Sequence, residues 1–393
     1  MDASEILNTL NAAAASPVAD LKEEDRLACL EACARLQETL ENPMEALIRF
    51  LFGAQQGAAL RLGVDMKLLE KGVAAKGPIT IKQLAAEVSA DRELVWRVMR
   101  MLAAMKLFQE TAKDTYVANP LAAAFVQPSP LEAAVVALGC TLPSVALLPD
   151  YFAEKGYQSP ENAFDGPWQY SRHTKDHYFD WMARRPQIQQ AFNTLMTISR
   201  QGRGEEWFDF YPVEEKLSAQ STDEILLVDI GGNIGHDVVA FKNRFPNLPG
   251  KLIVEDLPNV VASAPLRDGI EAVGHNFFDP QPPLLKNAKA YYLRTVLHDW
   301  PNKQAKTILE HIRNVMSKDS ILLINENAIP DRNVPLYQAQ GDLAMMACFS
   351  ALDRTEQQFA ELLDSAGFDL VKVWRPEIVL PMSAVLFEAV IKQ

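Results

Sequence analysis

Cysteine is scarce in this chain, and what there is stands apart. Cys29, Cys33, Cys140 and Cys348 form no C-x-x-C pair, which argues against a disulfide framework or a structural zinc site. Cys29 and Cys33 lie one helical turn apart, a spacing suited to packing on one helix face. The six histidines include no H-E-x-x-H or similar ligand set, so no metal is expected. His173 and His177 do share i,i+4 spacing, but their surroundings, SRHTKDHYFDW, read as the polar face of an amphipathic helix. No run of about 18 apolar residues is read in the sequence, and the amino terminus MDASEILNTL lacks the basic and apolar regions of a secretion signal. A cytoplasmic protein with no membrane partner is therefore expected. Positive charge is also short: 38 Lys and Arg against 51 Asp and Glu leave a formal charge of −13. That balance repels phosphate backbones and argues against nucleic acid as a partner. Two nucleotide signatures are missing as well, G-x-x-x-x-G-K-[ST] and G-x-G-x-x-G.

What is present is ample for a large core. The 393 residues are 48% apolar and 23% charged, ordinary values for a globular protein with room for two domains. Residues 1–203 read as helical. Leu27 to Leu40 and Met44 to Leu60 carry apolar residues at helical spacing. Long apolar helices at a chain end suit packing against a second subunit, so a homodimer arm is expected. From Pro78 a compact module follows. Thr80 and Gln83 make a capping-box start, a second helix runs through ELVWRVMRMLAAMKLFQE, and the ribbon LFQETAKDTYVAN completes a winged helix. Trp96, Met99, Leu102 and Met105 direct the second helix's apolar face into a core, so the module is read as structural rather than DNA-reading. Between Leu131 and Arg203 prolines punctuate further helices, and Tyr151, Phe152, Trp168, Tyr170, Tyr178, Phe179, Trp181 and Phe192, with Met182 and Met196, supply material for the roof of an apolar pocket or for ordinary core.

From 204 to 393 strand and helix alternate, which predicts a doubly wound, Rossmann-like α/β sheet. Candidate strands are Ile225–Ile230, Lys251–Glu255, Ala290–Arg294, Ile321–Glu326, Asp369–Trp374 and Ala384–Ile391. The short loop Pro376 to Pro381 makes one of the last two antiparallel. The stretch ILLVDIGGNIG organises this half: Ile225, Leu226, Leu227, Val228 and Ile230 form a buried parallel strand, Asp229 is the one acid within it, and Gly231, Gly232 and Gly235 let the backbone turn sharply against a ligand. An acid at the end of the next strand, in the pair Glu255-Asp256 about 20 residues past the last glycine, suits a ribose diol.

Candidate chemistry clusters beyond the later strands. His298, in YYLRTVLHDWP, follows the carboxyl end of a strand, where such folds place ligands, and an imidazole with an ordinary pKa near 6.5 is suited to take a proton at neutral pH. Asp299, before Trp300 and Pro301, reads either as part of that site or as a stabiliser of the next helix start. Glu326 ends the next strand, and Asp353 lies in the loop SALDRT. Carboxylates from two neighbouring loops are placed to hold an imidazole in one tautomer.

At these residues the chain closely resembles the class I S-adenosylmethionine-dependent O-methyltransferases of the plant caffeate type and their fungal secondary-metabolism relatives. The resemblance spans most of the chain and rests on the N-terminal helices, the winged-helix module, DIGGNIG, EDLP, HNFF, LRTVLHDWP, INENAIP and LDRT. It implies a methyltransferase domain behind a dimerisation domain, with S-adenosyl-L-methionine as cofactor and a small-molecule substrate. The implied cofactor residues are Asp229, Gly231, Gly232, Gly235, Asp256 and Leu257 of EDLP, Asn276 and Phe277 of HNFF, and Arg294. His298 is the implied general base, flanked by Glu326 and Asp353, and Met196, Asp342, Met345, Met346 and Phe349 are implied lining of the acceptor pocket. Asn276, Arg294 and Asp353 depart from the family's more frequent aspartate, lysine and glutamate while keeping hydrogen-bonding capacity. The implied reaction is transfer of a methyl group to a phenolic or enolic hydroxyl. The chain also resembles methyltransferase-like fungal pericyclases, notably around LPDYFAEK, which use the same pocket to steer a cyclisation. A third class, a ligand-responsive regulator using the winged helix, is opposed by the acidic charge and the complete acid/base set.

Overall fold

The computed structural model describes residues 2–15, 21–201, 204–219, 221–262, 264, 269–378 and 383–392. The chain folds as two units, Met1–Ala59 and Leu60–Gln393. The division expected between residues 203 and 204 falls on residues 202–203, outside the described set.

In the first unit the helices are Ala3–Ala15, Glu23–Leu40 and Pro43–Leu51. The last begins with a reciprocal cap: the Asn42 side chain accepts the Met44 and Glu45 amides, and Glu45 accepts the Asn42 amide. Pro43 fits the first turn because no partner is needed for its missing N–H. This helix buries none of its own residues, leaving Met44, Leu47, Ile48, Phe50 and Leu51 exposed.

In the second unit the winged-helix module forms as expected. Strands β1 (Ile79–Thr80), β2 (Phe108–Ala112) and β3 (Thr115–Ala118) pair in the order β1-β3-β2 beside helices Ile81–Glu87 and Arg92–Ala104. Thr80 and Gln83 make the capping box. Val95, Val98, Met99 and Leu102 are buried, and Trp96 and Met105 pack half-buried against the same core.

The apolar stretch Leu131–Lys155 departs from the expectation that the sequence holds no long apolar run, since its length and composition would suit a membrane span. It folds instead as Leu131–Gly139, Leu142–Ala146 and Leu148–Lys155, with Pro143 and Pro149 in the first turns of the latter two. Each proline removes a backbone donor, so one continuous helix is disfavoured. The first of the three packs along helix Pro186–Gln201.

The large sheet contains β4 (Ile225–Ile230), β5 (Lys251–Asp256), β6 (Ile270–Gly274), β7 (Ala290–Arg294), β8 (Ile321–Glu326), β9 (Phe368–Trp374) and β10 (Val385–Ile391), in the order β6-β5-β4-β7-β8-β10-β9. Strand β10 runs antiparallel to both neighbours, while the β4, β5, β6, β7 and β8 pairings are parallel. Side chains alternate across the sheet: Tyr291 enters one apolar cluster and Tyr292 the opposite one. Six strands match the expected ones to within a residue at each end, and β6 was not expected. Its sequence IEAVG has only Ile270 buried, so this edge strand carries little of the apolar signal that marks an interior strand. The order reverses where the chain goes from β4 to β5 on one side and later to β7 on the other. That switch point opens a crevice at the carboxyl ends of β4 and β7.

Candidate active site

The glycine turn after β4 is tied to the neighbouring strand through its backbone. Gly231 and Gly232 amides both donate to the Glu255 carbonyl oxygen, at 2.8 and 3.1 Å. Gly231 has φ +71°, and a Cβ there would lie 2.9 Å from Val296 Cγ2 and 3.6 Å from Phe277 Cε1. The turn after β4, the loop after β7 and the HNFF segment thus meet at the crevice with no room for a side chain. At Gly232 a Cβ would lie 2.6 Å from Asp229 Cγ, so buried Asp229 supports the turn from beneath. Asn233 adopts φ +54°, a left-handed conformation that asparagine tolerates better than most residues. Its amide donates to Asp256 Oδ2 at 2.8 Å, and the Leu257 amide donates to Asp256 Oδ1 at 2.7 Å. Burial raises the Asp256 pKa and these two amides oppose the rise. Gly235, at φ +82°, opens helix His236–Arg244.

These residues fit an adenosyl group: a close backbone approach, an anchored carboxylate at the end of β5, and the Phe277 ring facing Gly231. Leu257 is exposed beside Asp256. Two of the cofactor candidates are already engaged. Asn276 Oδ1 accepts the Phe278 amide at 3.1 Å. Arg294 Nη1 pairs with Asp237 at 2.8 Å and Glu206 at 3.2 Å, while Tyr292 donates to the same Asp237 oxygen and to Asn325. Arg294 therefore braces the helix that follows the glycine turn.

His298 sits in the short 3-10 turn Leu297–Asp299, just after β7. Its Nδ1 lies 3.3 Å from Asp353 Oδ1 and its Nε2 3.5 Å from Asp299 Oδ1, with the side chain 26% exposed. Glu326 does not hold the ring. Its Oε1 accepts the backbone amides of Val296, Leu297 and His298 at 3.0, 2.9 and 3.4 Å, and so fixes the turn that carries the imidazole. Of the two readings of Asp299 the site one holds: it does not cap the next helix, which starts at Asn302 with Pro301 at its cap, but faces His298. Burial alone would lower the His298 pKa, yet Asp299, Glu326 and Asp353 reverse this and push it up to about 10. Burial lifts Asp299 to about 7 although the His298 charge pulls it down, and burial likewise raises Glu326. The cluster thus favours the protonated ring.

Two supports escaped the sequence reading. Arg354 is fully buried and donates to the Leu297 and Trp300 carbonyls, at 2.7 and 2.8 Å, and to Asn302 Oδ1. It stands next to Asp353 in LDRT, but nothing in that tetrapeptide marks the arginine as buried. His177 is the other. His173 ends helix Pro167–Arg172 in a left-handed conformation, and His177 caps the separate helix Tyr178–Ala183. The two do not share one polar helix face, and His177 is only 3% exposed. No cluster of metal-ligating side chains occurs among the described residues.

Of the expected acceptor residues, Asp342, Met345, Met346 and Phe349 share helix Leu336–Phe349, and Met196 lies half-buried on Pro186–Gln201. Asp342 Oδ1 accepts the Asp353 amide at 2.9 Å, so it positions the loop that orients His298. Phe349 joins Trp168, Tyr178, Trp181 and Met182 in one aromatic cluster, with Met345, Phe179 and Phe192 packed against it. Much of the aromatic layer is thus core packing, with one edge turned toward His177 and Trp300.

Family models match this chain twice: an O-methyltransferase domain over residues 161–369 and an O-methyltransferase dimerisation domain over residues 44–128. Methyltransferase cfoC of Aspergillus candidus is 33% identical over 90% of this chain and 88% of its own. Demethylsterigmatocystin 6-O-methyltransferase of Aspergillus parasiticus is 33% identical over 86% of each. Among solved structures, LepI in complex with S-adenosylmethionine superposes with TM-score 0.83 at 28% identity over 100% of both chains. A pericyclic reaction enzyme superposes with TM-score 0.82 at 28% identity over 99% of this chain and 100% of that one. The glycine turn, the Asp256 anchor and the carboxylate-bound His298 thus belong to a chain that is a member of the S-adenosylmethionine-dependent O-methyltransferases.

Proposed function

We propose that this enzyme methylates a phenolic or enolic hydroxyl of a small secondary metabolite, with His298 as general base. The observation that carries this reading is the His298 geometry: Nδ1 is turned to Asp353 at 3.3 Å, Nε2 lies 3.5 Å from Asp299, and the side chain keeps some exposure. Donation from Nδ1 to Asp353 places the basic lone pair on Nε2. Val296, Leu297 and His298 amides gathered on Glu326 hold the backbone of that turn, so the ring need not reorganise before the proton moves.

Gly231, Gly232 and Gly235 with Asp229 beneath them, Asp256, Leu257, Asn276, Phe277 and Arg294 make up the proposed cofactor shell, Asn276 and Arg294 acting through the backbone and helix they brace. S-adenosylmethionine, when bound, supplies a methyl group whose carbon–sulfur bond breaks, its electron pair leaving on sulfur, as the oxygen–carbon bond forms, and its positive charge opposes protonation of His298. His298 Nε2 takes the hydroxyl proton, and Asp353 and Asp299 stabilise the imidazolium that results. Met196, Met345, Met346 and Phe349, with Asp342 behind them, are the proposed acceptor walls. Residues 1–203 serve dimerisation and residues 204–393 hold the cofactor, in a homodimer that works in the cytoplasm on a small molecule and on neither membrane nor nucleic acid.

The test is incubation of purified protein with methyl-labelled cofactor and a panel of phenols and pyridones. Label transfer supports the reading. In His298→Ala, transfer falls at least about a hundredfold while S-adenosylhomocysteine still binds; full activity in that variant refutes the base assignment. A second reading is favoured by the likeness to a pericyclic reaction enzyme along nearly the whole chain. Conversion of a candidate substrate to an isomer of unchanged mass, without label, would establish it in place of methyl transfer.

A further inference from the structure

His177 takes no part in the proton transfer, yet its surroundings are unusual for an imidazole. Its Nδ1 accepts the Phe179 amide at 3.4 Å as the cap of helix Tyr178–Ala183. That acceptance puts the ring proton on Nε2. Nε2 is buried and has no hydrogen-bond partner. Burial lowers the His177 pKa to about 4, so the ring is neutral near pH 7 and presents one unsatisfied N–H.

The box around it is aromatic. His177 stacks on Trp300, with centroids 4.7 Å apart and planes at 11°, and touches Phe349, Phe179 and Phe164 at 5.9, 5.3 and 5.4 Å. Trp300 lies two residues beyond His298, and Phe349 ends the helix that carries the proposed acceptor walls. A phenyl ring would fill this box as well as an imidazole. A buried donor left without an acceptor destabilises a fold and is rare, so the N–H is explained if a ligand brings the oxygen.

We propose that His177 Nε2–H donates to a carbonyl oxygen of the acceptor and so selects hydroxyl acceptors that carry a ketone ortho or peri to the hydroxyl. This rests on the methyl-acceptor reading above. In such compounds the hydroxyl proton is held by its own ketone, which makes it hard to remove. A donor on the ketone competes for that oxygen, frees the hydroxyl proton for His298, and stabilises the negative charge that spreads from the phenolate onto the carbonyl. His177 thus contacts the acceptor itself, and His298 alone moves the proton.

The test uses the full chain with S-adenosylhomocysteine bound and reads equilibrium binding of two matched probes, 8-hydroxy-1-tetralone and 5,6,7,8-tetrahydro-1-naphthol, which differ by the ketone. Wild type is expected to bind the ketone about tenfold more tightly. His177→Phe should erase that preference, and His177→Gln, which keeps an N–H donor, should restore part of it. His177→Phe removes the buried unpaired donor but also the Nδ1 cap on the Phe179 amide, so the ligand-free variants are first matched by thermal midpoint and circular dichroism, and the ketone preference is compared only among folded variants. If His177→Phe does not fold, the same comparison is read from His177→Gln against His177→Leu. No ketone preference in wild type, an equal preference in the Phe or Leu variant, or no binding of either probe overturns the contact. Label transfer that ignores the ketone keeps the methyltransferase reading and overturns this one. A ketone preference that depends on His177, with no transfer to any acceptor, does the reverse.

Discussion

At the scale of single residues, His298 is governed by the carboxylates packed around it. Asp299, Glu326 and Asp353 outweigh the burial that would otherwise keep the ring neutral, and they hold its pKa near 10. A base must be unprotonated to act, so kcat/KM of the free enzyme is expected to climb about tenfold per pH unit from neutrality toward that value. Asp299→Asn removes one negative charge while preserving shape. The imidazolium loses a partner, its pKa falls, and the acid limb of the profile should move down by about one unit; a limb that stays in place would show that Asp299 does not act on His298. Glu255 gives a stability counterpart. It is fully buried, its carboxyl accepts a hydrogen bond from Gln281, and burial lifts its pKa to about 7 from near 4.5. A carboxyl raised in the folded state favours folding while protonated and loses that advantage as pH rises through 7. Glu255→Gln should therefore gain on the order of 3 kcal/mol relative to wild type between pH 4.5 and pH 8, read from chemical denaturation at both pH values. Equal stability differences at the two would contradict the burial argument.

At the scale of elements, the 3-10 turn after β7 matters more than the strand before it. Five backbone groups of the segment 296–300 are fixed by two buried side chains, Glu326 taking three amides and Arg354 two carbonyls. Arg354→Ala strands those carbonyls, removes one of the two cations, with His298, that act on Glu326, and should cost about 3–5 kcal/mol in unfolding free energy. Methyl transfer should drop with it. A variant of near-wild-type stability would mean that water replaces the guanidinium. The motifs LHDWP and LDRT were legible as pieces, and their residue types and their positions past strand ends pointed to a site. What the pieces did for one another was not legible. Glu326 read as a partner of the ring and holds backbone instead, and Asp299 read equally well as a helix-start residue.

At the scale of the molecule, the helix Pro43–Leu51 presents Leu47, Ile48, Phe50 and Leu51 to solvent in a single chain, inside the segment matched by the dimerisation model. A patch of that kind is the signature of an interface. Phe50→Asp is expected to shift sedimentation from dimer toward monomer at micromolar concentration while leaving the far-ultraviolet circular dichroism unchanged. An unaltered dimer would place the interface elsewhere. The reversal of strand order at β4 is the other molecular-scale feature, because it sets strands β5 and β7 on opposite sides of β4, so that Val296 and Phe277 both approach Gly231.

The sequence by itself determined the element types and the class of site. Continuous apolar runs mark interior strands, and glycines mark a turn that needs conformations and clearances no other residue allows; both are local in the chain. Only the tertiary structure decided which polar groups meet. Hydrogen-bond geometry and desolvation depend on distances between segments dozens of residues apart, so the Arg354 clamp, the proton held between His298 and its carboxylates, and the unpartnered N–H of His177 exist only once the chain has closed on itself.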